Sequence, residues 1–335
     1  MAIGQPVIGV TMGDPAGIGP EVTLKAVADN RVRDAATAVI LGDYNHLTAL
    51  AEQYAIDVDL RRIDEVDDAT ADAPVDVMDF DNVDAFEHGD LRADNGRASL
   101  EYVDQSIDLA VAGEVDGLCN GPIHKQAIGM AGSEYAGHTD MMVDRTDTEH
   151  HTALLTDGEI YVTHLSIHVP LSEAIDRVTE ANVLDAIRVT QEKLPEAGLE
   201  APSIGVAGIN PHAGDGGVIG TLDDEEIAPA VQRAREEGID ATGPLPPDSA
   251  FNRALDGDFD CMMAMYHDQG HIPLFVNSHV DGGGVKATAL ILGLPFVRAT
   301  TLHGTAYDIA GRGIASPESM IAGIALAAKV VRHRS

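Results

Sequence analysis

Short apolar runs recur along the whole chain, separated by segments with helical periodicity, and this alternation restricts it to an α/β architecture with mixed, largely parallel sheets. The runs at residues 7–11, 38–41, 116–119, 152–156, 160–167, 204–209, 261–266 and 287–292 read as strands. Helical segments at 21–28, 47–54, 99–112, 172–178, 183–194 and 318–331 lie between or after them. A chain of 335 residues is long enough for two domains of this kind. No repeat and no low-complexity linker interrupts the pattern.

Several runs end abruptly in chemistry. In Ala264-Met-Tyr-His-Asp-Gln-Gly-His271 an apolar strand gives way to His267, Asp268 and Gln269. His168 in Ser166-Ile-His-Val-Pro170 and His212 in Asn210-Pro-His-Ala-Gly214 follow two other runs in the same way, each beside Pro or Gly. Strand ends are where α/β proteins place their ligands. Three neutral imidazoles suit Zn, Co, Ni, Fe or Mn better than Mg, and leave positions open for a substrate oxygen. A lone histidine has a blander reading as a packed core residue, and either of His164 and His168, on one predicted face, is such a candidate. His46, His88, His150, His151 and His333 read as surface residues.

Charge narrows the partners. With 21 Lys plus Arg against 55 Asp plus Glu, the net charge is −34, which repels nucleic acid and anionic membrane. Acids are spread between segments of ordinary apolar periodicity, so they read as a solvated surface suited to a high-salt cytosol, where screening acts over about 3 Å at 1 M. No apolar segment approaches the roughly 18 residues of a membrane helix, and the first residues carry no signal-peptide pattern. A cytoplasmic, soluble protein is expected. Cys119 and Cys261, each inside an apolar run, are expected to be buried free thiols.

Three further motifs sit at strand ends. Gly13-Asp-Pro-Ala-Gly-Ile-Gly-Pro-Glu21 joins the first strand to the first helix; it does not fit G-x-G-x-x-G, and a ligand loop and a plain structural turn both remain open. Asn120-Gly-Pro-Ile-His-Lys-Gln126 is followed by Ala136-Gly-His-Thr-Asp140. Lys125, His138 and Thr139 there are candidates to hold a phosphate or carboxylate, with a threonine helix cap as the alternative. The third motif is Thr301-Leu-His-Gly-Thr-Ala-Tyr-Asp-Ile-Ala-Gly-Arg-Gly-Ile-Ala-Ser-Pro317.

That last run resembles the cofactor-adenosine loop of the isopropylmalate and isocitrate dehydrogenases. From about residue 7 to 321 the closer resemblance is to the 4-hydroxythreonine-4-phosphate dehydrogenase family, including its 4-phosphothreonate and 4-phosphoerythronate relatives. It is carried by Gly121-Pro-Ile-His-Lys125, Gly137-His-Thr139, His168-Val-Pro-Leu171, Asn210-Pro-His-Ala-Gly214, Gly243-Pro-Leu-Pro-Pro-Asp248, Tyr266-His-Asp-Gln-Gly270, Gly293-Leu-Pro-Phe-Val-Arg298 and His303-Gly-Thr-Ala306. The resemblance implies two α/β/α domains, residues 1–130 with 305–335 and residues 131–304, with the active site in the cleft between them. It implies one divalent metal per site on His168, His212 and His267, with ligands drawn from both subunits of a homodimer. His138, Thr139 and Arg298 would contact a small phosphorylated acid, and Gly13, Asp14, His303, Gly304 and Asp308 would bind NAD. Asp308 on the ribose hydroxyls favours NAD over NADP. The implied reaction is oxidation of the C3 hydroxyl by NAD, then loss of CO2. Lys125, Asp248 and Asp268 are the candidate proton carriers, the two acids having metal-ligand orientation as the alternative.

One departure stands out. Family members carry a substrate-binding Lys shortly after the Tyr-His-Asp-Gln-Gly motif, where this chain has Phe275 and Val276. Lys286, one of only five lysines, is the expected replacement. A metal-dependent hydrolase and a non-catalytic metal-binding relative are the competing functions; the hydrolase has no reason to carry the 303–313 loop, and the non-catalytic relative would bind metal without activity.

Overall fold

The computed structural model describes residues 5–71, 74–84, 87–280 and 284–334. Its strands are β1 (Val7–Thr11), β2 (Thr37–Gly42), β3 (Leu60–Ile63), β4 (Val75–Asp79), β5 (Gly117–Asn120), β6 (Thr152–Thr156), β7 (Tyr161–His164), β8 (Ile204–Ala207), β9 (Ala241–Leu245), β10 (Cys261–Ala264), β11 (His279–Val280), β12 (Gly284–Val285), β13 (Thr288–Leu292) and β14 (Val297–Thr301). The chain forms two compact units, residues 1–149 with 280–335, and residues 150–279.

In the first unit the strand order is β3-β4-β2-β1-β5-β14-β13. All neighbours are parallel except β13, which runs antiparallel to β14. β5 and β13 are buried along their whole length, which is why they read as continuous apolar runs rather than alternating ones. The helix Glu318–Arg334 packs on β5, β13 and β14. It approaches closely because Gly323 faces Cys119: a Cβ there would lie 2.8 Å from the Cys119 sulfur.

The second unit orders its strands β6-β7-β10-β8-β9, parallel apart from β6 against β7. Its core is built from Val183, Leu184 and Ile187 of the helix Glu180–Lys193, Ala230, Val231 and Ala234 of the helix Ala228–Glu236, and Ile204, Val206, Met263 and Met265 around β8 and β10.

The mixed, largely parallel α/β class and the two buried free cysteines are as expected. The compact units meet at residues 149/150 and 279/280, and in the first unit β14 pairs with β5 residue by residue and carries β13 with it. His46, expected on the surface, is buried: Asp43 caps its helix through the His46 N–H, and its Nε2 lies 3.1 Å from the Pro15 carbonyl. No helix among the described residues is long and apolar enough to cross a membrane.

Candidate functional site

In the second unit β7, β10 and β8 are adjacent and parallel, with Met262 level with Val162 on one side and Gly205 on the other. Their carboxyl ends share one edge, and a histidine follows each: His168 after β7, His267 after β10, His212 after β8. The connecting segments are tied together. Ser166 Oγ donates to the Met265 carbonyl at 3.1 Å, and the Met265 N–H donates to Gln269 Oε1 at 2.7 Å. Gln269 Nε2 in turn donates to the Gly208 carbonyl at 2.7 Å, so one buried amide links the His267 and His212 segments.

The imidazoles form a row. Ring centroids of His168 and His267 are 5.6 Å apart; His271 stacks on His267 at 3.6 Å, and buried His164 lies 5.0 Å from His271. Burial pushes His164 down to about 3 and His271 down to about 4, which keeps both neutral near pH 7. Carboxylates stand beside two of the site imidazoles: Asp268 Oδ1 is within hydrogen-bond distance of His267 Nδ1 at 2.7 Å, and Asp248 Oδ2 lies 3.4 Å from His212 Nδ1. An imidazole that donates from Nδ1 leaves the Nε2 lone pair free, the arrangement found behind metal-bound histidines. The donor set thus fits an ion that prefers nitrogen. Among the described residues no group of three His, Cys, Asp or Glu side chains in the single chain could hold a metal ion.

The first unit carries a different kind of site. Arg298, on β14, is 2% exposed. Its guanidinium donates from Nε to Asn120 Oδ1 at 2.8 Å and from Nη1 to Thr139 Oγ1 at 3.3 Å, both neutral acceptors. Burial pulls its pKa down to about 10. A buried cation with neutral partners is costly, and an incoming anion offsets that cost. Beside it His138 is pushed down to about 3, first by burial and then by the Arg298 charge, and its Nε2 is enclosed without a hydrogen-bond partner. Thr139 does not cap its helix; Gly137 precedes the helix His138–Arg145 with no side-chain cap, and the Thr139 hydroxyl faces Arg298 instead.

The glycine loop after β1 is wholly buried. Gly13 has φ 74°, and a Cβ there would lie 2.4 Å from the Pro122 carbonyl. Its N–H groups are used within the chain: Asp14 N to Pro122 O, Ala16 N to Asp14 Oδ1, Gly17 N to Asp14 O, Ile18 N to Thr305 O. Gly13 and Asp14 therefore form a structural turn that seats the 303–308 loop. Burial raises the Asp14 pKa against the lowering effect of the Tyr307 hydroxyl, which donates to it at 2.8 Å. Tyr307 also stacks on His124 at 4.6 Å. In the loop itself Gly304 and Asp308 are exposed, and the buried His303 Nε2 has no hydrogen-bond partner.

Lys125 and Lys286 are exposed. The Glu318 carboxyl is held below the usual carboxylate range chiefly by its hydrogen bonds from Arg31, with the Lys286 charge adding least. Sequence reasoning did not single out Asn120, Ser166, Tyr307 or Asp223, and treated Gln269 only as part of a motif. Each works through a buried or part-buried hydrogen bond; a polar residue at the end of an apolar run was the available signal for Asn120 and Ser166, and the acidic run around Asp223 hid the one buried member.

Comparison with known proteins agrees with the geometry. Residues 34–327 match the family described as Pyridoxal phosphate biosynthetic protein PdxA. The chain is 39% identical to a 4-hydroxythreonine-4-phosphate dehydrogenase of Desulforapulum autotrophicum, over 98% of this chain and 96% of the relative. It is 37% identical to a D-threonate 4-phosphate dehydrogenase of Cupriavidus necator, over 98% of each. The crystal structure of a 4-hydroxythreonine-4-phosphate dehydrogenase from Klebsiella pneumoniae superposes with a TM-score of 0.87 at 35% identity, covering 99% of both chains. The chain belongs to the PdxA family.

Proposed function

We propose that the protein is an NAD-dependent, divalent-metal-dependent dehydrogenase that oxidises the C3 hydroxyl of a 4-phosphorylated four-carbon acid and releases CO2. The observation that carries this reading is Arg298, a guanidinium 2% exposed with only neutral hydrogen-bond partners in a chain of net charge −34. Such a group is kept for an anion, and a planar fork suits phosphate or carboxylate.

The chain's own groups divide the work. Arg298, Thr139 and neutral His138 bind and orient the acid. His303, Gly304 and Asp308 receive the nucleotide, with Asp308 set for the ribose hydroxyls, while Gly13 and Asp14 fix the loop that presents them. His168, His212 and His267 would hold the metal; Asp248 and Asp268, at 3.4 and 2.7 Å from two of their Nδ1 atoms, orient them rather than shuttle protons. That leaves exposed Lys125 as the candidate proton carrier. When bound, the metal supplies charge to acidify the C3 hydroxyl and draw electrons from the departing carboxylate, and NAD accepts the hydride.

A second copy of the chain would complete the metal site. Exposed apolar side chains collect on the histidine-bearing segments: Leu171 58%, Val218 81%, Ile272 59% and Val276 73% exposed. Side chains of that kind mark an interface between proteins. Phe275 and Val276 stand where the family lysine is expected, which supports a hydroxyl rather than an amine at C2, with Lys286 a candidate for the missing cation.

The test is to follow NADH absorbance with 4-phosphorylated four-carbon acids in molar salt with Zn, Co or Mn. NADH formation dependent on both phosphate and metal is expected. Phosphate release without NADH would support the hydrolase, and metal binding without turnover the non-catalytic relative.

A further inference from the structure

The segment that carries His212 is left-handed over six consecutive residues: φ is 54° at His212, 53° at Ala213, 80° at Gly214, 47° at Asp215, 64° at Gly216 and 86° at Gly217. Three of these are not glycine, and L residues avoid that region unless the surroundings hold them there.

One carboxylate stands at the base of this turn. Asp223 is 0% exposed. Its Oδ1 accepts from the Ile209 N–H at 2.8 Å, and its Oδ2 accepts from Asn210 Nδ2 at 2.7 Å and the Asn210 N–H at 3.3 Å. These donors stand just before His212, where the chain leaves β8. The carboxylate also fills the inside of the turn. A Cβ on Gly208 would lie 2.5 Å from Asp223 Oδ1 and 2.9 Å from Ala213 Cα, and one on Gly214 would lie 3.4 Å from Asp223 Oδ2. On the far side Gln269 fixes the Gly208 carbonyl at 2.7 Å, so the turn is anchored both to Asp223 and to the His267 segment.

Only an acceptor-only group satisfies three converging N–H donors. An asparagine keeps the shape but turns its own NH2 toward donors. Asp223 stands in the run Asp223-Asp224-Glu225-Glu226 and is the buried one of the four.

We propose that Asp223 is a positioning residue for His212: by anchoring residues 209 and 210 it keeps residues 212–217 in the left-handed shape that aims the imidazole, and through it sets the affinity of the His168, His212 and His267 group for a divalent cation. This rests on the metal reading above. The readout is binding of Co2+ to the metal-free full-length protein, followed by the visible cobalt spectrum and by competition with a chromogenic chelator.

Asp223→Asn is expected to weaken Co2+ binding by about 10- to 100-fold, the range for partners that orient a metal ligand. Adding Ala213→Gly, which accepts φ 53° without strain, is expected to restore several-fold of the loss. General destabilisation by Asp223→Asn would show no such rescue. Should Asp223→Asn not fold, Asn210→Ala removes the 2.7 Å bond to the same carboxylate from a part-exposed position and is expected to weaken Co2+ binding several-fold. If Asp223→Asn, or Asn210→Ala in its place, binds Co2+ as tightly as the unaltered protein while His212→Ala does not, the positioning role is overturned and the metal reading stands. If the unaltered protein binds Co2+ no more tightly than His212→Ala, the metal reading falls and this role with it.

Discussion

Replacing Arg298 by methionine separates binding from folding. In the free protein the buried guanidinium is a burden: its fall from 12.5 to about 10 corresponds to roughly 3 kcal/mol against the charged form. Methionine removes that burden and fills a similar volume. It also removes the bonds to Asn120 and Thr139, worth about 1 kcal/mol each, and leaves the Asn120 acceptor unpaired. These effects nearly offset, so Arg298→Met should unfold in urea within about 1–2 kcal/mol of the unaltered protein. The anion, by contrast, loses two charge-assisted hydrogen bonds of roughly 1.5–3 kcal/mol each. At about 1.4 kcal/mol per tenfold, kcat/KM for the phosphorylated acid should fall by at least two orders of magnitude. NADH absorbance for turnover and urea titration of ligand-free protein measure the two quantities side by side. A loss of more than about 3 kcal/mol in stability with kcat/KM unchanged would show that the guanidinium holds the fold and not a ligand.

Three other outcomes follow from the packing. Burial holds His46 near 4 and His164 near 3 in the folded protein against 6.5 otherwise, so on acidification the unfolded chain takes up protons first. Stability should be intact above pH 6.5 and fall below it, by on the order of 2 kcal/mol per histidine at about pH 5; an unchanged urea midpoint between neutral pH and about pH 5 would contradict this. Val276→Asp places a charge on a residue 73% exposed, and should leave the monomer folded by circular dichroism while shifting sedimentation from dimer to monomer. Gly13→Ala forces a Cβ to within 2.4 Å of the Pro122 carbonyl at φ 74°, and should cost at least about 2 kcal/mol in urea unfolding.

The sequence revealed what local pattern controls. Apolar runs marked the strands, and a histidine after three of them marked the edge where β7, β10 and β8 end together. Pairing between distant segments was not legible. The strand β14 returns to β5 across more than 170 positions, and nothing in the composition of residues 284–304 announces it. His46 was misplaced for a related reason: an Asx-capped helix start looks polar, and its burial depends on the Pro15 loop. The candidate site was legible as residues and not as geometry. Arg298 stood out as a motif arginine, but its value lies in what surrounds it, two neutral acceptors and no carboxylate. Asp223 was one acid in an acidic run, and only the donors of Ile209 and Asn210 distinguish it. The run Ala-Gly-Asp-Gly-Gly after His212 was the sign of a left-handed turn.

The most direct measurement is paired: NADH formed and CO2 released when the protein, NAD and a divalent metal meet a 4-phosphorylated four-carbon acid and its unphosphorylated counterpart. One CO2 per NADH from the phosphorylated acid, with little from the other, is the predicted result. NADH formed equally well without the phosphate, or no NADH with either acid, would contradict it.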